Sequence, residues 1–170
     1  MNKLWSPWRS QYIESFLEKK KGNGCIFCEL AKEEPADLQS LVVDKGELTF
    51  TVLNLYPYNN GHLMIVPYQH KREIDDLTSD ENREIMQNLQ TAVKALKVIS
   101  NPEGFNIGAN LGKVSGAGID EHIHFHVVPR WNGDTNFMPV LGEVKIISQD
   151  LLSTKKKLIE AYAKIRQEIS

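Results

Sequence analysis

The chain has 170 residues, 41% of them apolar and 25% charged, with a formal net charge of -2. That length can bury one sizeable core, and that balance belongs to a folded, water-facing domain rather than a disordered segment. A near-neutral chain carries no global basic field for nucleic acid, and no apolar run approaches the roughly 20 residues that span a bilayer, so neither partner is expected.

The first residues, with Trp5, Pro7, Trp8 and Arg9, lack the apolar centre of a signal peptide. Residues 10–20 read as a short helix ending at Gly22-Asn23-Gly24. Cys25 and Cys28 follow. Two cysteines make no disulfide framework, and their C-x-x-C spacing suits a metal or a redox pair in a reducing, cytoplasmic setting. Glu47 to Asn54 contains Leu48-Thr-Phe-Thr-Val-Leu53 and reads as a strand. A turn through Pro57, Asn59, Asn60 and Gly61 leads into a second apolar strand, His62 to Pro67, so the pair forms a hairpin.

Thr78 and Glu81 fit a capping box, and Ile85, Leu89, Ala92, Val93 and Leu96 recur behind it at helical spacing until Asn101-Pro102 stops the helix. Phe105 to Leu111 reads as a third strand and Lys113 to Asp120 as a loop containing Gly116 and Gly118. His122 to Val128 alternates as a strand, closed by Pro129. A last helix starts near Asp150, with Leu151, Leu158, Ile159, Tyr162 and Ile165 on one face and Lys155-Lys-Lys157 as its wet face. There is no internal repeat. The expectation is a single α+β domain over 1–170, with an antiparallel sheet.

His122, His124 and His126 occupy alternate positions, so they share one face of the strand while Ile123, Phe125 and Val127 share the other. Three readings follow from the spacing. The histidines can be the polar side of a half-exposed strand, although Thr, Lys or Glu would serve that purpose equally well. They can bind zinc, copper or iron together. Or one neutral imidazole attacks phosphorus and forms a covalent intermediate while its neighbours fix its tautomer and donate to phosphate oxygens. Spacing alone does not choose between the last two.

The run His122-Ile-His124-Phe-His126-Val-Val matches the histidine-triad signature, in which three histidines alternate with apolar residues. Asn54-Leu-Tyr-Pro-Tyr-Asn-Asn-Gly-His62, followed by Leu63-Met-Ile-Val-Pro67, resembles that family's nucleoside-binding strand and turn. Cys25-Ile-Phe-Cys28 resembles the zinc half-site of many members. The resemblance spans roughly residues 25–130, with the motifs in the family's order. It implies an antiparallel sheet of about five strands carrying a long helix and a C-terminal helix, in a homodimer or a larger homo-oligomer. It also implies that His124 is the nucleophile, with His126 and His62 beside it. Asn54 would hold the ribose, and Leu53 and Leu55 would sandwich the base. Asn110, Ser115 and Gly116 would contact phosphates. Structural zinc would take Cys25, Cys28, His70 and His122, where the plainer readings are reduced cysteines with a solvated His70, or a thioredoxin-like redox pair.

Many hydrolases of the family carry Gln-Ser or Gln-Thr shortly before the first histidine, whereas this chain has Gly116-Ala-Gly-Ile-Asp-Glu121. Glu121, Pro129-Arg-Trp-Asn-Gly-Asp134 and Leu4-Trp-Ser-Pro-Trp-Arg9 resemble the branch that contains diadenosine tetraphosphate phosphorylases. There, inorganic phosphate instead of water resolves the nucleotidyl-histidine and releases ADP. Arg130 would clamp phosphate oxygens or anchor the strand end. Trp5, Trp8 and Trp131 would stack on a base or cover a core or interface. The expected function is thus nucleotidyl transfer from a dinucleoside polyphosphate. Three alternatives stand: a hydrolase of dinucleoside polyphosphates or nucleoside phosphoramidates, a nucleotide-sensing binding module, and a metal carrier using the triad.

Overall fold

The structure is a computed structural model that describes residues 24–37, 39–115, 119–134 and 150–169. The helix expected over 10–20, with Trp5, Trp8, Gly116 and Gly118, lies outside the described residues. Five antiparallel strands form one sheet in the order β1-β2-β3-β5-β4: β1 (Val42–Lys45), β2 (Thr49–Leu53), β3 (Leu63–Pro67), β4 (Gly104–Gly108) and β5 (Phe125–Arg130). Helices α1 (Ile26–Leu30), α2 (Ser79–Ser100) and α3 (Leu151–Ile169) complete the described elements.

β2 and β3 are buried on both faces because each apolar run feeds two cores. Leu53, Leu63, Ile65, Ile123 and Val127 meet Ile85, Leu89, Ala92 and Leu96 of α2 and Leu158, Tyr162 and Ile165 of α3. On the other face Val42, Phe50, Val52, Met64 and Val66 gather around Phe27 of α1. Period-2 alternation assigns the residues of β2 and β3 to these cores in turn, as in the register Val52 to Met64 and Leu53 to Leu63. The long helix opens at the expected capping box, in which Thr78 and Glu81 satisfy each other's backbone N–H, and it ends on Asn101 in a left-handed conformation (φ 44°).

Three boundaries differ from the sequence reading. β4 ends at Gly108 rather than Leu111, and the chain then turns through a 3-10 segment at Lys113–Ser115. β5 starts at Phe125, so His122 and His124 precede the ladder, whose β3 pairing covers only Phe125 to Val127. β5 also runs through Pro129 to Arg130. Proline is tolerated there because the Pro129 carbonyl faces the β3 side, where it accepts a bond from Asn59 Nδ2 at 3.1 Å and no β3 residue pairs with it. A fourth difference is Lys155, expected on a wet face. It is only 1% exposed and donates to the Asp37 carbonyl, because α3 packs against α2 and β1 and turns that position inward. Lys156 and Lys157 remain exposed.

Candidate active site and metal centre

His62 lies just before β3, after a turn whose Gly61 has φ +75° and whose Cα hydrogen faces Leu96. β3 and β5 then pair side by side, with Met64 opposite His126, which brings His62 and His126 onto the same face. Their rings touch, His62 Nε2 to His126 Nδ1 being 2.9 Å. The tautomers follow from the donors around them. The Tyr58 backbone N–H points at His62 Nδ1 at 3.0 Å, and Asn54 Nδ2 approaches the same atom at 3.2 Å, so Nδ1 accepts. His62 Nε2–H therefore donates to His126 Nδ1, and the proton of His126 sits on Nε2. That Nε2 is buried and has no hydrogen-bond partner among the described residues. It is a donor held ready for something else.

His124 lies against this pair, its ring 4.8 Å from that of His126 in an edge-on arrangement. Its Nδ1 is 2.9 Å from the His122 carbonyl, which can only accept, so Nδ1 carries the proton and Nε2 keeps its lone pair. Burial pushes His124 below the ordinary histidine value, against the hydrogen bond to the His122 carbonyl. Burial, and then the neighbouring His124, push His126 down to about 4. Both imidazoles are neutral near pH 7. The geometry thus supplies a neutral nucleophile next to an unpartnered N–H donor, the arrangement that attack on phosphorus requires.

Of the other expected residues, Asn54 lies at the rim, its Oδ1 accepting from the Tyr56 N–H at 3.0 Å, and Leu55 is half-buried beside it. Leu53 points the opposite way from Asn54 and is packed into the core under α2 and α3, as strand alternation dictates. Asn110 is half-buried, and the exposed Ser115 donates from Oγ to the Gly112 carbonyl at 2.7 Å. Gly116 lies outside the described residues. Arg130 is not brought to the histidines. Its Nε and Nη2 hold both carboxylate oxygens of Asp134 at 2.6 and 2.8 Å, and Nη1 reaches Asn106 Oδ1 at 2.8 Å. Asp134 also accepts from Asn59 Nδ2 at 2.7 Å, so this network braces the turn that carries His62.

Sequence reasoning passed over Tyr58 and Phe27. The Tyr58 ring lies 4.8 Å from His62 and 5.7 Å from His126, and the Phe27 ring lies 4.8 Å from His124. Tyr58 meets His62 within one turn of chain, four residues away, whereas Phe27 reaches His124 only because the fold brings those segments together.

Cys25, Cys28, His70 and His122 each offer one ligand atom, and these atoms lie within 4.8 Å of one another. Sγ of Cys25 is 3.3 Å from His122 Nδ1, and Sγ of Cys28 is 3.4 Å from His70 Nδ1 and 3.7 Å from His122 Nδ1. A tetrahedral ion with bonds of about 2.3 Å to sulfur and about 2.0–2.1 Å to nitrogen sets sulfur and nitrogen about 3.5 Å apart. The donor set fits a metal ion. His122 Nε2–H donates to the Pro67 carbonyl at 2.9 Å, which turns the Nδ1 lone pair towards the thiols, as the outer partner of a metal-binding histidine does. Burial and the adjacent Cys25 raise the Cys28 thiol above its ordinary value, so two thiolates here call for a cation.

The HIT domain family model matches residues 36–133. An AP-4-A phosphorylase of Mycobacterium tuberculosis is 42% identical over 169 residues, covering 96% of this chain and 86% of that protein. An adenosine 5'-monophosphoramidase of Schizosaccharomyces pombe is 27% identical over 108 residues, 64% of this chain and 75% of that protein. Among solved structures, a Zn-bound histidine triad family protein from Mycobacterium smegmatis superposes with a TM-score of 0.68 at 24% identity, covering 85% of this chain and 97% of that one.

Proposed function

The chain belongs to the HIT, or histidine-triad, family, and on that premise we propose that it is a dinucleoside polyphosphate phosphorylase working through a nucleotidyl-His124 intermediate. The observation that carries this reading is the pair His124 and His126. One ring presents its Nε2 lone pair, with its Nδ1–H fixed on the His122 carbonyl, and the other presents a buried Nε2–H without a partner among the described residues. With diadenosine tetraphosphate, His124 Nε2 attacks the α-phosphorus, the bond to the bridging oxygen breaks, and ATP departs while AMP stays on His124. The His126 N–H meets the charge that develops on the phosphoryl and leaving oxygens, and His62 holds His126 in the tautomer that can donate. Inorganic phosphate then displaces the imidazole and leaves as ADP. Four phosphorus atoms from the dinucleotide and one from phosphate reappear as three in ATP and two in ADP.

Asn54 and Leu55 are the proposed contacts to the nucleoside, and Asn110, Ser115 and Gly116 to the phosphates. Phosphate as acceptor is supported by the likeness to an AP-4-A phosphorylase over 96% of the chain and by the absence of Gln-Ser before the triad. The metal is proposed to be zinc held by Cys25, Cys28, His70 and His122, whose four donors leave no open position. When bound it would supply a structural cross-link rather than a Lewis acid. The whole chain is taken as one domain in a homodimer, since β4 forms a sheet edge on which Ile107 is 50% exposed. No helix of the described residues is long and apolar enough to cross a membrane. The free Cys25 and Cys28 suit a reducing cytoplasm.

Chromatography of products from diadenosine tetraphosphate, with and without inorganic phosphate, tests this reading. ATP and ADP formed only with phosphate support it. ATP and AMP formed without phosphate make the protein a hydrolase. Turnover of phosphoramidates alone would instead align it with the monophosphoramidases. A chain that binds nucleotide but never carries it covalently would be a sensing module.

A further inference from the structure

The segment that carries the nucleophile lies outside the sheet ladder. β3 and β5 pair from Leu63 and Val127 to Ile65 and Phe125, and there the pairing stops. Among the described residues, His122, Ile123 and His124 therefore have no strand hydrogen bonds to hold them. What does hold them is local. The Ile123 N–H donates to the Lys71 carbonyl at 2.7 Å, and the His122 ring donates to the Pro67 carbonyl at 2.9 Å. The Ile123 side chain is seated in the core beneath α2 and α3, and the His122 ring also meets Phe27 and the cysteine and histidine cluster. His70 adjoins Lys71 in sequence, so the cluster grips both the 70–71 segment and the 122–124 segment at the point where they meet.

We propose that the Cys25, Cys28, His70 and His122 centre positions the nucleophile, through two arms that both end on His124. This rests on the reading of His124 as the nucleophile. The first arm is His122 itself. Its ring is one of the four ligands and its carbonyl oxygen is the acceptor, 2.9 Å away, that keeps the proton on His124 Nδ1. Any rotation of the 122 peptide that follows release of its ring moves that acceptor. The second arm is Phe27, which lies between the two cysteines on α1. Its buried ring packs 4.8 Å from the His124 ring at 45° and 5.6 Å from the His122 ring nearly edge-on. α1 has five residues and no side-chain N-cap, and it is seated by Phe27 in the core of Val42, Phe50, Val52, Met64 and Val66. Liganded cysteines on either side of Phe27 add to that seating and set its ring against His124. Phe27 is thus a positioning residue, and the third wall of the His124 ring is His126 at 4.8 Å.

The test reads the imidazole directly. Nitrogen-15 NMR of histidine-labelled protein, with His124 assigned through H124Q, reports which nitrogen bears the proton. In zinc(II)-loaded protein the Nδ1–H form of His124 is expected to dominate. After removal of the metal with phenanthroline, with helix content unchanged by circular dichroism, the Nε2–H form should appear. Mass spectrometry should then show adenylylation by diadenosine tetraphosphate slowed by about tenfold, with AMP affinity within about twofold. Phe27→Leu keeps all four ligands and should slow adenylylation in the same way at full zinc content, so it decides the matter if the metal-free chain unfolds. An unchanged His124 tautomer and adenylylation rate in folded, metal-free protein would overturn the proposal, as would Phe27→Leu with a wild-type rate. Adenylylation persisting in H124Q would instead overturn the nucleophile reading.

Discussion

The chemistry of the site is set by hydrogen-bond direction at single atoms. A backbone N–H at Tyr58 makes His62 Nδ1 an acceptor, which makes His62 Nε2 a donor, which in turn leaves the proton of His126 on a ring nitrogen with no hydrogen-bond partner among the described residues. The relay needs His126 neutral, and burial secures that. His126 is held down to about 4, whereas in an unfolded chain it titrates near 6.5. Between those values the unfolded chain binds a proton that the native chain does not. Stability is therefore fully present above about 6.5, falls as pH falls through the window, and levels off below about 4. Denaturation at pH 7 and pH 4.5 should show wild type losing about 2 kcal/mol more than His126→Gln. Equal losses would mean that His126 is already charged in the native state at pH 4.5.

At the scale of elements, the site stands on joints between strands and helices. Glu81 closes the capping box of α2 and also accepts from Lys71 Nζ at 2.6 Å, which joins the start of that helix to the segment bearing His70. Burial opposes its charge, but the bonds from Lys71 and Thr78 prevail and hold its carboxyl below the ordinary value. Thr78→Ala removes the acceptor for the Glu81 N–H and should cost about 1 kcal/mol in equilibrium unfolding. Glu84, one turn further along, accepts from the N–H groups of Leu48 and Thr49 at 2.9 and 2.8 Å and so fixes the β1–β2 turn to α2. Arg130 acts at this scale too, bracing the His62 turn through Asp134 and Asn59.

Across the whole molecule, the sheet separates stability from chemistry. One face carries α2 and α3, with Leu158, Tyr162 and Ile165 in the larger core, and the other carries the histidines, Phe27 and the Cys25–Cys28 pair. Leu158 is fully buried in the first face. Leu158→Ala should therefore cost about 3 kcal/mol in denaturant unfolding, with kcat at 25 °C unchanged. A fall in kcat matching the loss of stability would show that the two faces are coupled. Lys155 belongs to the same stabilising face, where its aliphatic stem is packed and its ammonium reaches the Asp37 carbonyl.

The sequence by itself determined the features that depend on neighbours along the chain. Alternation put the three histidines on one face, helical spacing and the capping box placed α2 within a residue, and the C-x-x-C spacing marked two members of a cluster that could hold a metal ion. Motif order was enough to identify the histidine-triad family. The tertiary structure decided what depends on residues far apart. It ended β5 short of His124, because pairing with β3 stops at Phe125, and it turned Leu53 into the core because Asn54 faces the other way. It drew Arg130 to Asp134 and buried Lys155 under α3. Above all it brought Cys25 and His122, 97 positions apart, to 3.3 Å, and set Phe27 against His124. Period and propensity act over a few residues, whereas such contacts exist only once the sheet has closed around them.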